Sequence, residues 1–132
     1  MPELGAIEHH QLMYASLLVV DDHEDFRRAV RALLEADGFT VVGEAATGAE
    51  AIVLAKVLRP DVVLLDVQLP DLDGFAVARE IGRWPDPPVV VLISSRDAPA
   101  YREQLQTTPA QGFIPKNRLS GIALRSLVHC TE

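Results

Sequence analysis

Asp61 to Gly74 reads DVVLLDVQLPDLDG. Its four consecutive apolar residues, Val62 to Leu65, are too few for a lone helix and are rich in branched side chains. Bounded by Pro60 and Pro70, the run predicts a strand buried on both faces. It stops abruptly on a carboxylate, Asp66. Pro70 then fixes one backbone angle of a turn, and Gly74 stands where a side chain would obstruct. Ligands of open parallel sheets gather beyond the carboxyl ends of the strands, and Asp66 falls at such an end. Taken alone, Asp66 is equally well a strand or turn cap.

Outward from this stretch the chain alternates. Ser16 to Val20 predicts a short strand ending on Asp21-Asp22. His23 to Asp37 places Phe26, Val30, Leu33 and Leu34 at helical spacing, with Asp22 or His23 at the N-cap, Glu24 and Asp25 in the first turn and Gly38 at the end. Thr40 to Ala45 is a second strand, and Thr47 caps a helix to about Leu58 whose apolar side is Ala51, Ile52, Leu54, Ala55 and Leu58. After the central strand, Gly74 to Trp84 predicts a helix with Phe75, Val77, Ala78 and Ile81 inward, stopped by Pro85, Pro87 and Pro88. Val89 to Ile93 is a fourth strand running into Ser94-Ser95. A short helix from about Pro99 to Gln106, a brief strand Gly112 to Ile114 ending at Pro115-Lys116, and a last helix from Leu119 to about His129 complete the series. Five apolar strands alternating with helices predict an α/β fold, a five-stranded parallel sheet doubly wound with five helices.

Bulk properties bound the function. The 132 residues suit one domain. Residues 1–15 show no clear period and are expected to form a flexible leader, with the domain over 16–132. The pair His9-His10 lacks a second ligand pair nearby and is not taken as a metal site. With 19 acidic against 12 basic residues the net charge is −7, so direct nucleic-acid binding is not expected. Apolar runs fall short of a membrane span, and no secretory signal pattern opens the chain. The single cysteine, Cys130, cannot form an internal disulfide. A cytoplasmic protein is expected.

Parallel strands bring their carboxyl ends to one edge. There the first strand delivers Asp21 and Asp22, the third Asp66, the fourth Ser94 and the fifth Lys116. Each has a dull explanation as a cap or a solvated charge, but caps alone do not explain their joint arrival. Two carboxylates about 4 Å apart repel by about 4 kcal/mol at an effective dielectric of 20, so the group calls for a cation. Oxygen ligands suit magnesium, Lys116 adds a positive point charge, and Ser94 a hydroxyl donor. Together these suit phosphoryl transfer, with Asp66, the central carboxylate, as the nucleophile.

The segments LLVVDD, VVLLDVQLPDLDG, VVVLIS and GFIPK stand in the order, and at about the spacing, of a response-regulator receiver domain of two-component signalling (the CheY-like, flavodoxin-like fold). The chain resembles that family from about Ser16 to Val128. The resemblance implies a sheet order of 2-1-3-4-5. It implies that Asp66 accepts a phosphoryl group from a histidine kinase or phosphotransfer protein. Asp22 would bind Mg2+ directly, Asp21 largely through water, and the Gln68 carbonyl would complete the protein ligands alongside Asp66. Ser94 matches the hydroxyl residue that moves toward the phosphoryl group, Lys116 the lysine that contacts it, and Phe113 the switch aromatic. The protein would then be a phosphoacceptor that catalyses its own phosphorylation and dephosphorylation rather than a conventional enzyme. Its output would be a changed surface for an effector protein or an output domain, with a homodimer as one form.

Some positions depart from the common pattern. Ser95 and Arg96 follow Ser94 and, with Gln68, border the phosphoryl site. Asn117 replaces the proline that often follows the lysine, leaving the isomer of that peptide bond open. The segment QTTPAQ, Gln106 to Gln111, replaces the usual Ala/Gly-rich end of the fourth helix. Two other readings compete. A phosphate-independent interaction module on the same fold would have no need of clustered carboxylates. A phosphatase-like enzyme would carry an acid two residues after the nucleophile, where this chain has Gln68.

Overall fold

The computed structural model describes residues 15–129. The leader expected over 1–15, apart from Ala15, lies outside the described residues, as do His9, His10 and Cys130. Five strands, β1 (Ser16–Val20), β2 (Thr40–Ala45), β3 (Val62–Asp66), β4 (Val89–Ser94) and β5 (Gly112–Pro115), form one sheet in the order β2-β1-β3-β4-β5. All four pairings are parallel. The helices are α1 (Glu24–Ala36), α2 (Gly48–Leu58), α3 (Gly74–Gly82), α4 (Arg102–Thr107) and α5 (Gly121–His129). A 3-10 turn, Ala98–Tyr101, leads into α4, and another, Lys116–Arg118, follows β5.

The strand side chains divide between two cores because successive residues point to opposite faces. Leu17, Val19, Val62, Leu64, Val91 and Ile93 pack beneath α1 and α5, against Val30, Leu34, Leu124 and Val128. Leu18, Val20, Val63, Leu65, Val90 and Leu92 pack beneath α2 and α3, against Ala51, Ala55, Val77 and Ile81. This double burial makes β3 apolar throughout: every one of its residues is buried. Each such side chain is worth about 1.5–3 kcal/mol on leaving water. Ala15 belongs to the first core, and its carbonyl accepts the Thr40 N–H at 3.0 Å.

Differences from the sequence expectation are confined to margins. Leu33 and Leu58 are exposed at 42% and 38%, although Leu58 still reaches the sheet, its Cδ1 lying 2.7 Å from where a Cβ on Gly43 of β2 would stand. Helix α3 ends at Gly82, two residues before Trp84, and the fourth helix begins as a 3-10 turn because Pro99 sits in its first turn. The cap at Thr47 is as expected: its side chain accepts the Glu50 N–H at 3.1 Å. His23 occupies the N-cap position of α1 without capping it. No peptide bond among the described residues is cis, including the one before Asn117. Among the described residues no helix is long and apolar enough to cross a membrane.

Candidate phosphoryl and metal site

The carboxyl ends of β1, β3, β4 and β5 meet at one edge of the sheet. Asp21 follows β1, Asp66 is the last residue of β3, Ser94 the last of β4, and Lys116 the first after β5. Asp21, Asp66 and Ser94 are the buried polar or charged residues of the described chain, at 0%, 2% and 0% exposure. Three buried polar groups on one edge, in an otherwise apolar interior, mark this as the chemically committed part of the molecule.

Lys116 joins the two buried acids. Its Nζ lies 2.6 Å from Asp21 Oδ2 and 3.1 Å from Asp66 Oδ2, and 4.5 Å from the centroid of the Phe26 ring, which shields one side. Burial works against the Asp21 charge, yet the ammonium and the His23 backbone N–H, which donates to Asp21 Oδ1 at 2.8 Å, hold its carboxyl below the ordinary value of 3.8. Asp66 goes the other way. Burial pushes its carboxyl above 3.8 and the Asp21 charge adds to this, against a hydrogen bond from the Gln68 N–H at 3.1 Å and the pull of Lys116. Lys116 itself is raised, since the two acids outweigh its own burial.

The turn after β3 is shaped by its sequence. Gly74 donates its N–H to the Val67 carbonyl at 2.6 Å, and a Cβ there would lie 2.8 Å from the Val67 Cα, an approach that backbone cannot yield to. The obstruction expected at Gly74 is therefore real. Asp73 caps α3 by accepting the Ala76 N–H at 2.9 Å. Asp71 accepts the N–H groups of Gly48 and Ala49 at 2.7 and 2.9 Å, tying the turn to the start of α2. Gln68 is held between these anchors at the rim of a cavity of about 290 Å³, which Asp22, Asp66, Pro70, Ser95 and Lys116 also line.

Asp21, Asp22, Asp66 and His23 each offer a ligand atom within 4.8 Å of the others. Asp21 Oδ2 has charge contact with Lys116 but no aligned hydrogen bond, and it is the buried side-chain atom left without one among the described residues. Clustered carboxylates at the rim of this cavity fit a hard divalent cation. Two contributors were not legible beforehand. His23 Nδ1 sits 3.0 Å from Asp21 Oδ1 and 3.1 Å from Asp22 Oδ1; its place directly after the acidic pair was the available signal. Arg27 donates to the Asp21 carbonyl at 2.6 Å while pairing with Glu44 at 3.0 Å, and only its position one turn into α1 hinted at this.

Ser94 is brought to the same edge but faces away from the acids in its bonding. Its Oγ accepts the Arg96 N–H at 3.1 Å and shares a hydrogen bond with Tyr101 OH at 2.8 Å. Phe113 is half-buried on β5, its ring 5.7 Å from that of Tyr101. A larger cavity of about 680 Å³ lies at the opposite edge, by Lys56, Arg59 and Trp84. None of its charged lining residues is buried.

Known proteins share this sequence pattern and this fold. Residues 17–126 match the family described as the response regulator receiver domain. The chain is 43% identical over 107 residues to a protein-glutamate methylesterase/protein-glutamine glutaminase of Alkalilimnicola ehrlichii, covering 79% of this chain and 27% of that protein. It is 38% identical over 117 residues to the probable transcriptional regulatory protein NarL of Mycobacterium tuberculosis, covering 88% and 54%. It thus spans about half, or less, of the length of these curated relatives. The solved receiver domain of the M. tuberculosis NarL superposes with a TM-score of 0.73 at 38% identity, covering 89% of this chain and 93% of that one. The response regulator domain of Thermotoga maritima CheB does so with 0.71 at 27%, covering 89% and 90%. The chain belongs to the response regulator receiver domain family of two-component signalling.

Proposed function

We propose that Asp66 is the phosphoacceptor of this receiver domain and that its phosphorylation depends on Mg2+. The observation that carries the reading is the buried Asp66 carboxylate at the end of the central strand, 3.1 Å from the Lys116 ammonium and within 4.8 Å of the acidic pair. Asp21, Asp22, Asp66 and the Gln68 carbonyl would hold the ion, which when bound neutralises charge on the phosphoryl oxygens. An Asp66 oxygen attacks the phosphorus of a phosphohistidine on a kinase or phosphotransfer protein. The P–O bond forms as the P–N bond breaks, and the imidazole leaves with that electron pair. Burial supports this role, because it strips water from the nucleophile and pushes its carboxyl up, making the anion more basic than an exposed aspartate. Lys116 stays protonated and draws the phosphoryl oxygens.

The acyl phosphate adds roughly two negative charges. Ser94 and Phe113 pass that change to the surface around β4, β5 and the helices beside them, where an effector protein or an output domain reads it. The chain acts by binding rather than by turning over an external substrate. Intact mass after incubation with Mg2+ and acetyl phosphate tests the proposal. A gain of about 80 Da, absent in Asp66→Asn, is the chemistry of one aspartyl phosphate. No gain, together with no binding of a beryllofluoride phosphoryl mimic, would favour the phosphate-independent module instead.

A further inference from the structure

We propose that Tyr101 is the positioning residue that holds the Ser94 hydroxyl away from Asp66 until the domain is phosphorylated, and that this bond anchors the fourth-helix segment. The inference rests on the reading of Asp66 as phosphoacceptor and adds the element that answers it. The Tyr101–Ser94 pair is buried, with the residues at 7% and 0% exposure and the oxygens 2.8 Å apart. In the dry interior such a bond is costly to leave unmade. Tyr101 is also the buried residue of the 3-10 turn Ala98–Tyr101, and α4 has none. Its ring lies between Phe75 at 5.6 Å and Phe113 at 5.7 Å.

Three consequences meet at this side chain. The bonds to Tyr101 OH and from the Arg96 N–H fix where the Ser94 oxygen sits, so the hydroxyl must leave Tyr101 to reach a phosphoryl group on Asp66. When it turns to the phosphoryl oxygens, the Tyr101 hydroxyl is left buried without its partner, and the ring must move or find water. Since nothing else in Ala98–Thr107 is fully buried, the segment loses its polar tether to the sheet at that moment. Phe113, the aromatic singled out in the sequence, touches this relay through Tyr101, so Tyr101 stands between the hydroxyl switch and the helix.

The test uses the full chain with Tyr101→Phe, which removes one hydroxyl and keeps the ring, in Ser94 and Ser94→Ala backgrounds. In unmodified protein, Tyr101→Phe should speed amide hydrogen exchange across residues 98–107 about fivefold and leave β1 and β3 unchanged, the equilibrium effect of one lost neutral hydrogen bond. Phosphoryl uptake from acetyl phosphate with Mg2+, read by intact mass, should rise about two- to fivefold because more molecules hold Ser94 free. Both effects should vanish in the Ser94→Ala background. A purely structural tyrosine would loosen the segment without raising uptake, and equal effects in both backgrounds, or unchanged exchange, would overturn the proposal. If the wild type takes up no phosphoryl group, the phosphoacceptor reading fails, whereas the exchange comparison, made without phosphate, still decides the tether.

Discussion

Replacing Asp66 by asparagine should stabilise the fold in the absence of metal. The Asp21 and Asp66 carboxylates are both buried, with ligand oxygens within 4.8 Å, so their repulsion is about 3 kcal/mol or more at an effective dielectric of 20. Asp22, whose side chain is 36% exposed, adds about 1 kcal/mol after solvent screening. Against this, Lys116 at 3.1 Å attracts Asp66 by about 5 kcal/mol on the same scale. The charge terms nearly cancel. What remains is the desolvation of a carboxylate, which runs to several kcal/mol per buried ion, partly offset by the Gln68 N–H bond. Asparagine keeps an acceptor for that N–H, and Lys116 keeps Asp21 at 2.6 Å, so neither partner is orphaned.

The net expectation is about 1–2 kcal/mol of stabilisation, which for a domain of this size raises Tm by about 5 °C. Differential scanning calorimetry at pH 7 with chelator present measures it. Magnesium at ten times its Kd should stabilise the wild type by about 1.4 kcal/mol and the variant by less. A variant that melts at or below the wild-type temperature, or an equal magnesium effect on both proteins, would refute the electrostatic account of the pocket.

The same pair gives opposed pH signatures. Asp21, depressed on folding, contributes stability present above 3.8 and lost as pH falls through its lower folded value; Asp66, raised on folding, makes stability fall as pH climbs from 3.8 through its higher folded value. Urea titrations should therefore show the Asp66→Asn advantage opening above pH 3.8 and closing below it. Gly74→Ala should cost about 2–3 kcal/mol in chemical denaturation, because the added Cβ meets the backbone of Asp66 and Val67 rather than a movable side chain. Arg27→Met should cost about 1–3 kcal/mol and weaken the magnesium-induced rise in Tm, since it frees the Asp21 carbonyl and leaves Glu44 to Arg31 alone.

How much was legible follows from what each feature depends on. The strands were readable because two-sided burial requires unbroken apolar runs, and a parallel sheet then carries Asp21, Asp66, Ser94 and Lys116 to one edge without further information. The cap at Thr47 and the close approach at Gly74 are local backbone chemistry, visible within four residues of sequence, whereas the cap at Asp73 was not read although it is of the same local kind. Tyr101 was not readable in the same way. It sits in a polar, proline-containing segment with no clear period, and its value comes from a bond to a residue seven positions away that only the turn after β4 brings near. Arg27 was hidden for a similar reason, since its partners lie just beyond β1 and on β2, and within α1 it is one more charge at a helical position. Leu33 and Leu58 sit at helical spacing yet stay 42% and 38% exposed, because the period places a residue on a face without fixing how much of its side chain is covered.

The site and the fourth-helix segment are built at opposite ends of the stability scale. Asp66 lies in a strand whose every residue is buried, paired on both sides, so the proposed acceptor has little freedom to move. Residues 98–107 carry one buried side chain and a half-buried leucine, Leu105, and Pro109 prevents the helix from lengthening. On the proposed reading, a perturbation of a few kcal/mol at this rigid carboxylate is expressed where opening costs least. Tyr101 touches both regimes, bonded to the last residue of β4 and rooted in the loose segment. A charge change on Asp66 need not deform the sheet to reach the surface. It only has to outbid one hydrogen bond.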